Sequence, residues 1–419
     1  MEVNVTTLTN GLRVLSVERP QTETVSVGIW VHTGSAYETP DMNGISHFLE
    51  HMVFKGSSKR NALQISEDIE NVGGTTNAYT SREFTVFYAK MLKNDLELAI
   101  DVLADMVMAP TFADDELNKE REVVVQEIKQ TFDDPSDIVF DYFQETAYQK
   151  QALGRTILGP AEKVRSFNAD TLRRYMASNY AAENIVVVAV GNLQHAEFVK
   201  MVEERMAGLQ TAKNFIADKQ IYTGGEFIKQ RDIEQTQVLL GFKSVDCFDE
   251  NRYAVSLLSA ILGGGMSSRL FQEIREKRGL VYTVYSFNNT FTQNGIFGIY
   301  AGLEADEIKN YVPVVTDEIK RICNEYVTDT ELDRVKVQHK AGMLMALESS
   351  SSTAEAIARR YLLHNRFIPI EEVIAKIDSV TKEQVMQAAQ QIFCSPLTYT
   401  LLGNLKDYPQ AEQIQKWCK

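Results

Sequence analysis

The two halves of the chain carry the same short motifs in the same order, and this repetition restricts the folds open to it. Each motif of the first half returns about 213 residues later. The matched pairs are Thr24–Gly28 with Thr236–Gly241, Phe87–Ala89 with Ile299–Ala301, and Gly191–Leu193 with Gly403–Leu405. Convergence on common strand and turn sequences explains single matches, but the shared order and the nearly constant shift favour an internal duplication.

Each half combines strand signals with helical periodicity. In the first half, apolar runs flank Asn10-Gly11, a dipeptide typical of hairpin turns, and Thr24–Val31 and Ile185–Val190 have the composition of strands. Helical patterns occupy 46–54, 62–72, 94–108, 113–131, 135–150 and 169–178. We therefore expect an α+β fold of two homologous domains, each with a mainly antiparallel sheet and helices packed on one face. The expected parts are a first domain at 1–212, a linker at 213–225 and a second domain at 226–419.

Charge and composition exclude several classes of protein. The 419 residues include 43 Lys and Arg against 57 Asp and Glu, and the net charge of −14 repels nucleic acids and anionic lipid. The longest aliphatic run, Ile185–Val190, is far shorter than the roughly 20 residues of a membrane span. The first residues show no signal-peptide or presequence pattern, and the four cysteines lack CxxC spacing. We expect free thiols in a cytoplasmic protein with no nucleic-acid partner and no membrane insertion.

The motif that carries chemistry is His47-Phe48-Leu49-Glu50-His51, an HxxEH sequence. On a helix, His47 and His51 are four residues apart, so both imidazoles project from one face and can share a cation. Glu50 lies at the edge of that face, where a carboxylate can hold a water molecule without binding the metal. The alternative is a surface helix with two incidental histidines.

A catalytic zinc needs a third protein ligand. Glu120 and Glu127 are seven residues apart in a segment with helical periodicity, which places both carboxylates on one helix face beside an apolar stretch. A metal explains such a pair, although two solvated acids on a surface helix explain this segment equally well.

These motifs together resemble the pitrilysin-type zinc metallopeptidases, also called inverted zincins, over almost the whole chain. The resemblance is closest to the β subunit of mitochondrial processing peptidase and its bacterial homologues. It rests on Gly44–Met52, on Glu127 lying 76 residues after His51, and on Ala147–Gln149 with Ala152–Pro160. The resemblance implies one Zn²⁺ per chain, held by His47, His51 and Glu127. It also implies that Glu50 is the general base that activates water, and that Glu120 supports the site without binding the metal.

The second half supplies other residues by the same resemblance. Arg275 and Tyr282 match an Arg and a Tyr, seven residues apart, that stabilise the oxyanion in the family. The position equivalent to the HxxEH helix is Ala260–Gly264, which has no histidine or glutamate. The resemblance therefore implies a single zinc site in the first domain, and a second domain that faces it across a cavity.

Substrate residues are also implied by the resemblance. Asn77, Ala78 and Tyr79 match a strand whose edge binds an extended peptide by backbone hydrogen bonds. Asp137 and Asp141 match an acidic pair that receives an arginine upstream of the cleaved bond. The acidic net charge suits a basic peptide, but it equally serves solubility.

The sequence thus predicts a zinc metalloendopeptidase that hydrolyses extended, basic, Arg-containing peptides or presequence-like segments of unfolded polypeptides. The alternatives are a non-specific oligopeptide-degrading peptidase and a non-catalytic subunit of the same fold. The resemblance implies a homodimer, or a heterodimer with a homologous chain, of the bacterial cytoplasmic type.

Overall fold

The computed structural model describes residues 1–211 and 218–418, which form two β-sheets with surrounding helices. The strands are β1 (Asn4–Thr7), β2 (Arg13–Glu18), β3 (Thr24–Val31), β4 (Thr75–Thr80), β5 (Thr85–Leu92), β6 (Ile185–Gly191), β7 (Gly225–Gln230), β8 (Thr236–Ser244), β9 (Val281–Thr290), β10 (Gly295–Leu303) and β11 (Thr398–Gly403). The helices of the first 211 residues are α1 (Ile45–Val53), α2 (Ala62–Glu70), α3 (Leu96–Met108), α4 (Asp114–Asp133), α5 (Pro135–Ala147), α6 (Ala161–Ser166), α7 (Ala169–Asn179) and α8 (His195–Met206). The later helices are α9 (Arg252–Gly263), α10 (Ile308–Asn324), α11 (Asp329–Ala346), α12 (Ser350–His364), α13 (Ile370–Asp378), α14 (Lys382–Phe393) and α15 (Ala411–Trp417).

The two sheets share one topology. The first has the strand order β1-β2-β6-β3-β5-β4, and the second has the order β7-β11-β8-β10-β9. In each sheet one pair of strands is parallel: β2 with β6 in the first sheet and β7 with β11 in the second. The next pairs in the first sheet, β6-β3, β3-β5 and β5-β4, are antiparallel, and so are their equivalents β11-β8, β8-β10 and β10-β9 in the second. The first sheet differs by its extra edge strand β1, which forms an antiparallel pair with β2. This repetition confirms the predicted pair of homologous α+β domains.

Several strands and turns lie where the sequence predicts them. β3 spans Thr24–Val31 and β6 spans Ile185–Gly191, and both are almost wholly buried. β-Branched residues occupy both faces of β6 and one face of β3, as expected of strands inside a sheet. Gly11 has φ +88° in the turn between β1 and β2, a conformation that glycine adopts without strain.

Contacts divide the chain into two compact units that do not follow the linear halves. The first unit comprises Met1–Lys129, Thr156–Asp218 and Met343–Pro369, and the second comprises Gln130–Arg155, Lys219–Gly342 and Ile370–Lys419. Each unit therefore includes one segment from the other half of the chain. These two exchanged segments begin at Gln130 and Met343, 213 residues apart, which is the same shift that relates the repeated sequence motifs. The partition at 1–212, 213–225 and 226–419 stays a prediction, and residues 213–217 of its linker lie outside the described residues.

The exchanged segments contribute the helices α12 and α5. In the first unit, α12 packs on β3 and β6, where Ala354, Ile357 and Ala358 join a buried cluster with Trp30 and Val186. The larger core of that unit lies on the other face of the sheet, beneath α1, α3 and α8. In the second unit, α5 packs on β8 and β11, and a Cβ at Gly241 would lie 2.3 Å from the ring of Phe143. Glycine is thus required where this helix meets the sheet.

None of the helices in the described part of the chain combines the length and the apolar character needed to cross a lipid bilayer. The four cysteines are all free, as the sequence predicts.

Candidate metal centre

The helix that carries the HxxEH motif is anchored at its start by a buried carboxylate. Gly44 precedes α1 with φ +95°, and the helix has no side-chain cap of its own. Instead Glu38, only 4% exposed, accepts hydrogen bonds from the backbone N–H groups of Gly44 and Ser46, both at 2.8 Å. The amide of Asn43 donates to the same carboxylate at 3.0 Å. An anion at a helix N-terminus is stabilised by the free N–H groups and by the helix dipole, so Glu38 fixes the position of α1.

Three side chains converge above this helix. Nε2 of His51 lies 3.4 Å from Oε2 of Glu127, and Nε2 of His47 lies 3.8 Å from the same oxygen. The donor atoms of the three residues all lie within 4.8 Å of one another, and no other such group of His, Cys, Asp and Glu side chains occurs among the described residues. Phe48, Leu49 and Met52 on the opposite side of α1 are fully buried and hold the helix in the core.

These separations fit a shared tetrahedral ion. Zinc ligand atoms lie about 2.0–2.1 Å from the metal in proteins, which places them roughly 3.3 Å from one another. The two measured separations are longer than ordinary hydrogen bonds and close to this value. Two imidazoles with one carboxylate are also a donor set that zinc prefers. The residues present therefore fit a zinc ion.

The protonation of the two histidines is set by different surroundings. Burial and the neighbouring His51 lower the pKa of His47 to about 3, which keeps its ring neutral. Burial also acts to lower the pKa of His51, but the carboxylates of Glu120 and Glu127 outweigh it and raise that pKa. Neutral imidazole is the form that binds a metal, so a bound cation displaces any proton from Nε2.

Glu120 holds His51 from the side away from Glu127. Its Oε1 accepts a hydrogen bond from Nδ1 of His51 at 2.8 Å, and its Oε2 lies 2.8 Å from Nζ of Lys55. A proton on Nδ1 leaves Nε2 as the nitrogen with a free lone pair. By contrast, Nδ1 of His47 is buried and has no hydrogen-bond partner in the described part of the chain. Packing alone orients that ring.

Glu50 is close to His47, His51 and Glu127 but does not belong to the group of side chains that could share a metal ion. Burial raises the pKa of its carboxyl, and a hydrogen bond from Thr80 partly offsets this effect. Oγ1 of Thr80 donates to Oε2 of Glu50 at 2.5 Å. A cavity of about 540 Å³, lined in part by Glu50, His51, Lys55 and Asn77, opens beside these groups. A raised pKa and access to a cavity suit a residue that accepts and returns a proton.

The predicted substrate strand lies at the edge of the first sheet. Asn77, Ala78 and Tyr79 belong to β4, which pairs only with β5 in the described residues. Oδ1 of Asn77 accepts a hydrogen bond from the backbone N–H of Ala78 at 2.8 Å. The hydroxyl of Tyr79 donates to Oε1 of Glu355 on α12 at 2.5 Å.

The other four predicted site residues belong to the second unit. The Arg275 guanidinium stacks between two rings, 4.8 Å from the centroid of Phe271 and 5.2 Å from that of Tyr282. Tyr282 is 74% exposed. Asp137 and Asp141 lie one turn apart on α5, with Asp137 exposed and Asp141 half-buried.

Sequence reasoning missed three residues that the structure places around the site: Glu38, Lys55 and Thr80. Lys55 lies four residues after His51, a spacing that places two side chains on the same face of a helix. Thr80 directly follows the predicted substrate residues, but nothing local indicates its contact with Glu50. Glu38 lies in an irregular segment before the helix and resembles an ordinary loop acid.

Family profiles match most of the chain. The profile described as insulinase, peptidase family M16, matches residues 13–161. The profile described as the peptidase M16 inactive domain matches residues 166–338, within which the HxxEH motif does not recur.

Similar proteins carry related names. The chain is 36% identical over 404 residues to the uncharacterized zinc protease YmxG of Bacillus subtilis, covering 96% of this chain and 98% of that protein. It is 37% identical over 401 residues to an uncharacterized zinc protease of Rickettsia bellii, covering 96% and 97%. It is 32% identical over 431 residues to the probable mitochondrial-processing peptidase subunit beta of Arabidopsis thaliana, covering 99% and 81%.

Solved structures share the fold. A protease from Helicobacter pylori superposes with a TM-score of 0.89 at 23% identity, over 96% of this chain and 99% of that one. A Pseudomonas fluorescens protein described as a peptidase M16 inactive domain superposes with a TM-score of 0.90 at 22% identity, over 98% and 100%.

Proposed function

The chain belongs to peptidase family M16, the insulinase or pitrilysin-type family, and on that premise we propose that it is a zinc metalloendopeptidase. The observation that carries the proposal is the convergence of His47, His51 and Glu127, whose donor atoms all lie within 4.8 Å of one another, close enough to share one metal ion. Glu50 beside them supplies a carboxylate that lines the adjacent cavity. A non-catalytic subunit has no reason to keep all four side chains.

Zinc, when bound by these three residues, supplies a Lewis acid that polarises the scissile carbonyl and makes water more acidic. The chain's own residues do the rest. Glu50 accepts a proton from the attacking water and returns it to the amine that leaves. Its buried carboxyl, with a raised pKa, is suited to both transfers. Glu120 keeps His51 in the tautomer that exposes Nε2.

Negative charge develops on the carbonyl oxygen during this attack, and donors must stabilise it. By family resemblance, Arg275 and Tyr282 have this role. The stacking of the Arg275 guanidinium on the Tyr282 ring supports their action as one group, because it limits the motion of both side chains.

For the substrate, we propose an extended, basic peptide. The edge strand β4, which contains Asn77, Ala78 and Tyr79, offers its open edge to a peptide that pairs through its backbone, a mode that suits unfolded segments. Asp137 and Asp141 provide two carboxylates for an arginine side chain. The name of the Arabidopsis relative, a processing-peptidase subunit, supports an assembly of this chain with a second copy or with a homologous chain. The four free cysteines favour a reducing compartment, and we propose the cytoplasm.

The deciding experiment measures bound zinc and peptide cleavage on the same purified sample, with Glu50→Gln as the matched variant. We expect about one zinc per chain in both proteins, cleavage of Arg-containing peptides by the parent, and loss of at least 100-fold in kcat in Glu50→Gln. Zinc-loaded parent protein that cleaves no peptide in a diverse library contradicts the proposal. Full activity in Glu50→Gln contradicts the role of Glu50.

A further inference from the structure

Thr80 is the last residue of β4, and its backbone faces the open edge of the sheet. In the turn that joins β4 to β5, the backbone N–H of Ser81 donates to the carbonyl of Phe84 at 2.7 Å. Antiparallel strands alternate between hydrogen-bonded and non-hydrogen-bonded pairs. The next pair, Thr80 with Thr85, is therefore non-hydrogen-bonded, and the N–H and C=O of Thr80 point away from β5.

Ala78 supports the conclusion that alternate residues of β4 direct their backbone groups away from β5. It lies two residues before Thr80 and has the same orientation, so its N–H also points away from β5. That N–H donates to the side chain of the adjacent Asn77 rather than to the neighbouring strand. The backbone groups of Ala78 and Thr80 are thus the ones that a paired peptide would meet.

The side chain of Thr80 contacts Glu50, the proposed general base. Its hydroxyl donates to Oε2 of Glu50 at 2.5 Å. No residue in the described ranges hydrogen-bonds Oε1 of Glu50, so that oxygen is left for a water molecule. One residue therefore joins the peptide-binding edge to one oxygen of the general base.

We propose that Thr80 is a positioning residue that couples backbone pairing of the substrate on β4 to the orientation of the Glu50 carboxylate. This inference rests on the proposed function. A peptide that pairs with Thr80 fixes the end of β4, and the hydroxyl then holds Oε2 so that Oε1 faces the water. The coupling makes part of the binding energy of a remote peptide backbone available to the chemical step. A merely structural hydroxyl would satisfy the buried carboxylate and nothing more.

The first test replaces Thr80 in the full-length, zinc-loaded protein. Thr80→Val keeps the shape and removes the hydroxyl, and Thr80→Ser keeps the hydroxyl. We expect Thr80→Val to lower kcat about 10- to 100-fold with KM changed by less than about twofold. We expect Thr80→Ser to recover most of the kcat. Zinc affinity should be the same in all three proteins.

The matched control is Thr85→Val. Thr85 lies opposite Thr80 on β5, and its hydroxyl donates to the carbonyl of Thr33 at 3.0 Å. This variant also loses one hydroxyl hydrogen bond from the same hairpin, but none to Glu50. We expect it to lower the melting temperature about as much as Thr80→Val does, with kcat unchanged within about twofold.

The second test measures the coupling itself. A series of peptides with a single backbone N-methyl group removes one pairing donor at a time. At the position that pairs with Thr80, N-methylation should lower kcat in the parent and have no further effect in Thr80→Val. At every other position, N-methylation should change the kinetic constants by the same factor in the parent and in Thr80→Val, as expected for contacts that are independent of Thr80.

Different results contradict the positioning role, the coupling and the proposed function. An unchanged kcat in Thr80→Val, or a loss confined to KM or to zinc affinity, overturns the positioning role. Equal effects of N-methylation on both proteins at every position overturn the coupling. A parent protein that binds zinc but cleaves no peptide defeats the proposed function itself and not this inference alone.

Discussion

Nδ1 of His51 lies 2.8 Å from Oε1 of Glu120, and this contact determines which ring nitrogen faces Glu127. The other oxygen of Glu120 lies 2.8 Å from the ammonium of Lys55. Burial acts to raise the pKa of the Glu120 carboxyl, but the contacts with His51 and Lys55 outweigh it and lower that pKa. Lys55, Glu120 and His51 thus form a connected chain of charge-assisted contacts that ends at one of the three residues we propose as zinc ligands. Such partners tune metal affinity although they do not touch the metal.

Replacement of Glu120 by Gln should weaken zinc binding about 10- to 100-fold, because the neutral amide holds the Nδ1 proton less strongly. Lys55→Met should act in the same direction with a smaller effect. A competition titration against a chelator measures both. Glu116→Gln is the control, since Glu116 lies on the same helix and pairs with Lys119 on the surface. Equal zinc affinity in Glu120→Gln and Glu116→Gln would contradict the role of Glu120.

The anchor of α1 gives a prediction for stability. Glu38→Gln places an amide N–H₂ group against backbone donors, so the free energy of unfolding at pH 7 should fall by about 1–3 kcal/mol. Glu18→Gln is the control, because the exposed Glu18 carboxylate accepts a single backbone hydrogen bond, from His195. Urea unfolding measures both variants. A loss in Glu38→Gln no larger than in Glu18→Gln would contradict the anchoring role.

The same residue predicts a pH dependence. Burial raises the pKa of Glu38 above its ordinary value of 4.5, so the folded protein holds this proton to higher pH than the unfolded chain. The part of the Glu38 contribution that depends on its proton is therefore complete below pH 4.5 and is lost as the pH rises through the raised pKa, while the hydrogen bonds from the backbone at the start of α1 remain. The difference in free energy of unfolding between parent and Glu38→Gln should narrow from pH 4.5 upwards. A constant difference across that range would show that the pKa is not raised.

The candidate site is only partly readable from the sequence. The four-residue spacing of His47 and His51 predicts a shared helix face, and their ring centroids lie 4.6 Å apart. The seven-residue spacing of Glu120 and Glu127 likewise predicts one face, and both carboxylates approach His51. The contact of Thr80 with Glu50 joins a strand to a helix 30 residues away. No periodicity encodes such a contact, because it depends on how sheet and helix pack.

The proposed recognition of arginine by Asp137 and Asp141 on α5 predicts a change in specificity. Replacement of both Asp137 and Asp141 by Asn should lower kcat/KM for Arg-containing peptides about 10-fold, because two charge-assisted hydrogen bonds are lost. Peptides with citrulline in place of arginine should be affected much less. Glu145→Gln, on the exposed part of the same helix, should leave both rates unchanged. Equal losses for arginine and citrulline peptides would contradict the recognition.

The oxyanion role that we propose for Tyr282 predicts a loss in the chemical step alone. Tyr282→Phe keeps the ring stacked on Arg275 and removes the hydroxyl donor. We expect kcat to fall about 10- to 100-fold while KM stays nearly constant. The control is Tyr326→Phe, at another exposed tyrosine of the same unit. Steady-state kinetics at saturating peptide decides the matter, since an unchanged kcat excludes this role.

The fold, like the site, is predictable from the sequence where local residues decide it, but not where it depends on how distant segments pack. The strand Thr24–Val31 is found where the sequence predicts it, because β-branched residues specify a buried strand locally. Helical periodicity at 135–150 likewise predicts a helix that the structure has at Pro135–Ala147. The periodicity does not tell which sheet this helix covers. Homologous sheets offer similar apolar faces, so the exchange of α5 and α12 becomes visible only in three dimensions.

That exchange has a consequence for any attempt to divide the protein. A chain severed between Thr211 and Asp218 gives two fragments, and each lacks a helix that the other supplies. The first fragment alone would expose Trp30, Val86 and Val186 to water, since α12 covers them in the intact chain. Separately expressed fragments should therefore aggregate, whereas coexpressed fragments should complement one another and copurify. The positions of α5 and α12 thus make each compact unit depend on a segment from the other half of the chain for a complete core.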